Sequence, residues 1–114
     1  MPYISVNTTQ SLTEAKLNTI QQEIGSIVSV IPGKNLDNTM TQINENCKIF
    51  MGGHLANITF VEIRIRGTAT ADMKKEVTKN LDTLLKREIE GLVELYINFQ
   101  EYTDWGRGSE YRES

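Results

Sequence analysis

A strand, a long amphipathic helix and a second strand follow one another twice along this chain of 114 residues. In the C-terminal half, residues 56–65 are rich in isoleucine, valine and threonine, which favours a strand. Apolar residues then recur at three- and four-residue steps from Met73 to Ile89, which predicts a helix over residues 71–89. Residues 92–100 predict the next strand, and a strand–helix–strand unit of this kind is right-handed with parallel strands.

The N-terminal half repeats this order. Residues 2–7 form a β-prone run, apolar spacing predicts a helix over residues 12–30, and Pro32-Gly33 ends that helix. A second strand is predicted over residues 39–46, although its many asparagine and threonine residues weaken the β signal. The chain is therefore predicted to contain two β-α-β units.

Three local features of the N-terminal half add to this prediction: a helix cap, a glycine within the helix and a turn. Ser11 and Glu14 have the spacing of a capping box at the start of the helix. Gly25 lies inside the helix, which predicts that the helix approaches the sheet closely there. Residues 49–51 are predicted to form a short apolar segment that turns back at Gly52-Gly53.

These elements predict a single α+β domain over residues 1–114. It comprises two halves, about residues 2–50 and 56–100, and a polar tail from residue 101 that forms a short edge strand or a loop. We expect a four-stranded mixed sheet with both helices on one face. The other face is predicted to carry isoleucine, valine and phenylalanine with nothing to cover them, which predicts oligomerisation through that face.

Composition limits the classes of function. A net charge of −3 argues against nucleic acid as a main partner, because phosphate binding needs a basic surface. Cys47 is the single cysteine, so we expect no internal disulfide, and no ligand cluster predicts a metal or another cofactor. No apolar run predicts a membrane span and no signal peptide is recognised, so a cytoplasmic location is expected, with secretion without a signal peptide left open.

Pro2 is the first candidate for a catalytic residue. The initiator methionine is normally removed before a small residue, and its removal would leave Pro2 with a free secondary amine. An α-amino group has a pKa near 8 in model peptides, so this nitrogen can act as a general base near neutral pH. Taken alone, Pro2 favours the interpretation as an ordinary proline, and Lys34 after Pro32-Gly33 is often only a solvated turn residue.

Several short motifs, in this order, resemble the tautomerase superfamily, and within it the family of macrophage migration inhibitory factor (MIF). The opening residues 2–8 are similar to that family's Pro-x-x-x-x-Asn-Thr, and Gly33-Lys34 to its Gly-Lys after the first helix. Residues 50–53 resemble its Phe-Gly-Gly turn, residues 95–99 its Val-Tyr-Ile-Asn-Tyr strand, and Trp105-Gly106 its C-terminal Trp-Gly. No single motif is specific, but their combination on a β-α-β repeat is.

The resemblance implies an enzyme that interconverts keto and enol forms of a small 2-oxo acid such as phenylpyruvate. Pro2 would be the catalytic base, and Lys34 would bind the carboxylate or enolate oxygen of the substrate. The backbone N–H of Ile63 would bind the same acid group. A positive charge beside the Pro2 nitrogen disfavours its protonated form, which suits a base at neutral pH.

The resemblance also implies a homotrimer with active sites between subunits. Tyr96 and Asn98 would reach the site from the neighbouring subunit, and the tail around Trp105, Arg107 and Tyr111 would form its wall. Arg107 stands where an aromatic residue is common in the family, which predicts weaker stacking of an aromatic substrate or a preference for an extra acid group.

Other departures leave alternatives open. Residues 56–59 lack the Cys-x-x-Cys of the mammalian cytokine members, so thiol redox activity is not expected. Arg64 and Arg66 alternate away from Ile63 and are interpreted as surface residues. One alternative function is a non-enzymatic, MIF-like interaction trimer, and another is hydration or decarboxylation of an unsaturated acid by the same proline base.

Overall fold

The computed structural model of the protein describes residues 2–113. Its elements in chain order are β1 (Tyr3–Thr8), α1 (Glu14–Val28), a 3-10 helix (Leu36–Asn38), β2 (Met40–Asn44), β3 (Phe50–Met51), β4 (His54–Leu55), β5 (Ile58–Arg66), α2 (Ala71–Glu88), β6 (Glu94–Tyr102), β7 (Asp104–Arg107) and β8 (Glu110–Glu113).

The main sheet has the strand order β2-β1-β5-β6. Strands β1 and β2 are parallel and joined through α1, and β5 and β6 are parallel and joined through α2. The two units meet where β1 pairs with β5 in antiparallel register, with Tyr3 opposite Arg64. The predicted α+β architecture, a tandem β-α-β repeat on a four-stranded mixed sheet, is confirmed.

The hydrophobic core lies between the two helices and one face of the sheet. From Thr59 onward every second residue of β5 is buried, including Val61, Ile63 and Ile65, because successive strand side chains point to opposite faces. They pack in one cluster with the apolar faces of both helices, which include Ile24 and Leu81. Fully burying each such side chain stabilises the fold by about 1.5–3 kcal/mol.

The opposite face of the sheet is mainly polar, so the prediction that it carries isoleucine and valine is wrong, while the phenylalanine of that prediction is present. The residues between the buried ones on β5 include Glu62 and Arg64, which lie opposite Ser5 and Tyr3 of β1. Phe60 lies on this face and stacks against Tyr96. Isoleucine and valine were expected on both faces, but Val61, Ile63 and Ile65 alternate with charged residues and therefore all face the helices.

The first helix starts and packs differently from the prediction. Its N-cap is Thr13, whose side chain accepts a hydrogen bond from the N–H of Lys16, so Ser11 does not cap it. The close approach at Gly25 is to Leu36 of the 3-10 helix and not to the sheet, since a Cβ there would lie 2.4 Å from Leu36 Cδ1. Within residues 2–113, neither helix is long and apolar enough to cross a bilayer.

Two small hairpins complete the described chain. Strands β3 and β4 turn back on each other at Gly52 and Gly53, whose positive φ angles of 60° and 80° suit glycine, and this confirms the predicted turn. The polar tail forms a second hairpin, β7–β8, in which Trp105 is paired with Arg112. The tail was predicted as an edge strand or a loop, and its folding into a hairpin brings its side chains back toward the main sheet.

Candidate active site

One end of the main sheet collects residues from both halves of the chain. The backbone carbonyl of Pro2 accepts a hydrogen bond from the N–H of Met40, the first residue of β2, across 3.0 Å. Because Tyr3 lies opposite Arg64, the antiparallel register places buried Pro2 beside Ile65, one residue from the end of β5. Met1 lies outside the described residues, so its removal stays a prediction.

Lys34 reaches this end of the sheet from the loop that follows α1. Gly33 has a φ of 79°, a left-handed conformation that glycine adopts readily, and the N–H of Lys34 donates to the carbonyl of Ile31 across 3.0 Å. The ammonium group of Lys34 donates to the carbonyl oxygen of Arg66 across 3.3 Å. The turn therefore presents the Lys34 side chain to the end of β5.

Asn38 stabilises the loop that carries Lys34. Asn35 and Asn38 exchange hydrogen bonds between side chain and backbone, which forms a capping box on the 3-10 helix. The Asn38 Nδ2 group also donates to the carbonyl of Gly33 across 2.8 Å. These contacts fix the backbone on both sides of Lys34.

The tail hairpin forms the opposite wall. The N–H of Gly67, just after β5, donates to the carbonyl of Tyr102 across 2.8 Å, which holds the end of β6 against the end of β5. The Trp105 ring packs at a tilt against the Tyr102 ring, with centroids 6.3 Å apart. Trp105, Arg107 and Arg112 lie on one face of the hairpin, because Arg112 is the cross-strand partner of Trp105.

A cavity of about 410 Å³ lies between the loop and the hairpin. Its lining residues are Gly33, Lys34, Asn38, Arg66, Gly67, Trp105, Arg107 and Arg112. Within the described part of the chain, this lining contains four cations and no carboxylate. A second cavity of about 440 Å³ on the polar sheet face shares Trp105 as a lining residue.

The structure brings together several of the residues that the sequence singled out. Lys34, Trp105 and Arg107 line the first cavity. Pro2 lies at the same end of the sheet but is not a lining residue of the cavity. Tyr111 is exposed in the hairpin, and its hydroxyl donates to Asp104 across 2.9 Å, which raises the pKa of Tyr111.

Tyr96 and Asn98 lie far from this cavity within one chain. Tyr96 is opposite Phe60, six residues before Arg66, which corresponds to about 20 Å along the strand. The Tyr96 side chain is 43% exposed on the polar sheet face. The Oδ1 atom of Asn98 is buried and has no hydrogen-bond partner among residues 2–113.

Ile63 does not reach the cavity. Its side chain is fully buried in the core, and its backbone is paired with Ile4 on one side and Phe99 on the other. The backbone N–H groups of an internal strand are used in the sheet. The position of Ile63 therefore gives no support to the prediction that its N–H binds the acid group of the substrate.

The sequence missed Arg66, Arg112 and Asn38 as cavity residues. Arg66 was interpreted as a surface residue, but the register of β5 places it next to Lys34. Arg64 instead lies on the polar sheet face, with its guanidinium carbon 5.6 Å from the centre of the Tyr3 ring. The sequence does contain one signal for Arg66. It lies directly before Gly67, which marks the end of the predicted strand.

The chemistry of this cavity favours anions. Lysine and arginine bind carboxylates through charge-assisted hydrogen bonds, and arginine can bind both carboxylate oxygens at once. The same charges stabilise a negative oxygen that develops during enolisation. A free amine on Pro2 would add a base to this end of the sheet.

Comparison with solved structures identifies the fold. MIF2 of Leishmania major superposes with a TM-score of 0.87 at 20% sequence identity, covering 97% of this chain and 97% of that one. The chain has the MIF fold. The MIF-like protein of Entamoeba histolytica gives a TM-score of 0.79 at 23% identity, covering 96% of this chain and 97% of that one.

A third solved structure of the same fold is that of an inactivated protein. Pt0534, inactivated by 2-oxo-3-pentynoate, gives a TM-score of 0.75 at 12% identity, covering 94% of this chain and 92% of that one. No protein-family model matches this chain, and neither does the sequence of any curated protein. The similarity to the MIF proteins is therefore a similarity of fold.

Proposed function

We propose that this protein is a keto–enol tautomerase of the MIF-like family that acts on a small 2-oxo acid, with phenylpyruvate as a suitable assay substrate. The observation that carries the proposal is the cationic cavity at the end of the sheet where Pro2 begins the first strand. An enolisation site needs a base and a positive group for the developing negative charge, and both are close to this end of the sheet.

In the proposed mechanism, the Pro2 nitrogen, freed by removal of Met1, takes a proton from the carbon next to the substrate's carbonyl group. The electron pair of that C–H bond forms the carbon–carbon double bond, and the carbonyl oxygen becomes negative. Protonated Pro2 then returns its proton to this oxygen, which gives the enol. The reverse sequence converts the enol to the keto acid.

Lys34 has the role of anion binding in this proposal. Its ammonium group is held at the cavity by the carbonyl of Arg66, and it retains further N–H donors for a substrate oxygen. Arg107 and Trp105 of the hairpin form the facing wall. Ile63 is not part of the proposed site, because it is buried in the core.

We propose that the working form is a homotrimer in which a neighbouring subunit supplies Tyr96 and Asn98. Both residues lie too far along β6 to reach the cavity of their own chain. The Tyr96 side chain, 43% exposed on the polar sheet face, is accessible to a neighbouring subunit, which supports this assembly. The polar sheet face, which the described helices leave uncovered, is available for such an assembly.

The comparisons support a 2-oxo acid as the substrate. The inactivator of Pt0534 is itself a 2-oxo acid, and that protein shares the MIF fold. Two further proteins of this fold are MIF proteins of other organisms. Since one fold can host several functions, the residues of the cavity carry more weight than the fold.

Turnover of phenylpyruvate enol, followed by ultraviolet absorbance, tests this proposal. The sample is first shown by intact mass to lack Met1. We expect Pro2→Ala to lower the rate at least about 100-fold, the smaller end of what a positioned general base contributes. Circular dichroism and the oligomeric mass should be unchanged in that variant.

The matched control is Lys86→Gln, which removes an exposed cation paired with Asp82 on α2. It should retain the wild-type rate. Equal rates for the wild type and Pro2→Ala, or no turnover by a correctly processed and assembled wild type, would contradict the proposal. The second result would favour the non-enzymatic interaction trimer.

A further inference from the structure

We propose that the cavity selects a dianionic ligand, namely a 2-oxo dicarboxylic acid in preference to a 2-oxo monocarboxylic acid of the same length. The proposed tautomerase function supplies the 2-oxo group of this ligand class. The selection itself is a property of binding, and it can be measured whether or not the protein turns the ligand over.

The first argument is the local excess of positive charge. The chain carries a net charge of −3, yet four of its 12 lysine and arginine residues line this one cavity. Among the described residues, no aspartate or glutamate lines it. Cations placed together repel one another, so an anion in the cavity relieves this repulsion and is bound more strongly with each additional negative charge.

The second argument is that the cations come from two opposite walls. Lys34 and Arg66 belong to the loop after α1 and the end of β5, where the Lys34–Arg66 hydrogen bond holds them together. Arg107 and Arg112 belong to the tail hairpin and lie on the same hairpin face. One ligand carboxylate at the Lys34 wall leaves both hairpin guanidinium groups without a ligand anion, and Arg112 keeps only its pair with the exposed Glu110.

The third argument concerns size and geometry. A volume of about 410 Å³ is in the range of small-molecule sites, about 300–1,000 Å³. It has room for a short chain with an acid group at each end. The guanidinium group is planar and matches the two oxygens of a carboxylate, which makes the hairpin wall suited to the second acid group.

Glu110 lies beside this set in the hairpin, but it is not a lining residue of the cavity. It accepts a hydrogen bond from Arg112 across 3.0 Å and lies opposite Arg107 in the hairpin register. The Glu110 side chain is 68% exposed, and exposed pairs of this kind contribute about 0–1 kcal/mol. A ligand carboxylate can therefore replace Glu110 as the partner of Arg112.

The test compares 2-oxoglutarate with 2-oxopentanoate, which have the same five-carbon chain and differ in the terminal carboxylate. Trp105 is the only tryptophan of the chain and lines the cavity, so its fluorescence reports binding there. We expect 2-oxoglutarate to bind at least about tenfold more tightly, the size of one charge-assisted hydrogen bond. Isothermal calorimetry provides a second measurement of both affinities.

Variants locate the source of this preference. The double variant Arg107→Gln, Arg112→Gln should bind the two acids with affinities within about twofold of each other, because the second anionic group has lost both partners. Lys86→Gln, which removes one exposed cation of α2, is the control for loss of a positive charge away from the cavity and should keep the full preference. The wild-type preference should also shrink as the salt concentration rises, because the salt screens the charges.

The Pro2→Ala variant separates this inference from the proposed function. It should keep the preference for 2-oxoglutarate while it loses turnover. Equal affinities of the wild type for the two acids, an unchanged preference in the double variant, or the absence of detectable 2-oxoglutarate binding would each overturn the inference. A preserved preference with no turnover by the wild type would contradict only the proposed function.

Discussion

The ammonium group of Lys34 donates a hydrogen bond to the backbone carbonyl oxygen of Arg66 across 3.3 Å. This contact joins the loop after the first helix to the last residue of β5, and so connects the two β-α-β halves at the cavity. It also orders a long lysine side chain that would otherwise sample many rotamers. A binding group that is already ordered loses less entropy when a ligand arrives.

Replacing Lys34 should weaken substrate binding. Lys34→Gln removes the positive charge, and we expect KM for a 2-oxo acid to rise at least about tenfold, as for the loss of one hydrogen bond to a charged group. Steady-state kinetics with the Lys86→Gln control measures this effect. A KM within twofold of the wild type would show that the substrate acid group binds elsewhere.

Replacing Gly25 should disturb the cavity from a distance. A Cβ at this position would lie 2.8 Å from the Cα of Leu36, and a backbone atom cannot move away by changing rotamer. We expect Gly25→Ala to lower the free energy of unfolding by about 1–2 kcal/mol, because overpacking outweighs the better helix propensity of alanine. Urea denaturation measures this value.

The matched control for Gly25 is its exposed neighbour on the same helix. Ser26→Ala should leave the stability equal or slightly higher, because alanine is the better helix former. Because Leu36 opens the 3-10 helix beside Lys34, Gly25→Ala should also weaken ligand binding. A Gly25→Ala protein as stable as the Ser26→Ala protein would contradict the packing argument.

Glu101 should make the stability depend on pH. Its carboxylate accepts a hydrogen bond from the N–H of Ala69 across 2.7 Å, and this contact, together with Lys74, lowers the pKa of Glu101. A group whose folded-state pKa is lowered stabilises the fold above its unfolded pKa, and this contribution is lost as the pH falls through the folded pKa.

The test compares Glu101→Gln with the wild type by denaturation at several pH values. At pH 7 the variant should be less stable by roughly 0.5–1 kcal/mol, a small value because the pair is partly exposed. The difference should shrink as the pH falls below the ordinary carboxyl pKa of 4.5. Glu76→Gln, at an exposed position of α2, should show neither effect. A difference between Glu101→Gln and the wild type that stays constant with pH would rule out the charged form of Glu101 as its source.

The order of elements could be predicted from the sequence because it depends on local periodicity. The steps from Met73 to Ile89 and the β-branched run before them give the second β-α-β unit without knowledge of any contact. Lys34, Trp105 and Arg107 were found because each lies within or beside a short motif that resembles the MIF family. Their common cavity is a result of the fold.

The remaining cavity residues depend on pairing between distant segments. Arg112 belongs to the cavity because the tail forms a hairpin that places it opposite Trp105, and polar residues 104–113 give little local signal for that pairing. The position of Arg66 at the cavity depends on the register between β1 and β5. The polar character of the open sheet face could have been predicted, since Glu62 and Arg64 alternate with the buried residues of β5.

Covalent capture by 2-oxo-3-pentynoate tests the central claim most directly, which is that the Pro2 nitrogen is a free base beside the cationic cavity. This compound combines a 2-oxo acid with an activated triple bond, to which an unprotonated amine adds. Intact mass and peptide mapping of the treated wild type then locate the adduct. The account predicts one adduct per chain on the Pro2 nitrogen, loss of turnover in proportion to labelling, and protection by 2-oxoglutarate. An unlabelled Pro2 nitrogen in an active sample, or labelling of lysine side chains without loss of turnover, would contradict it.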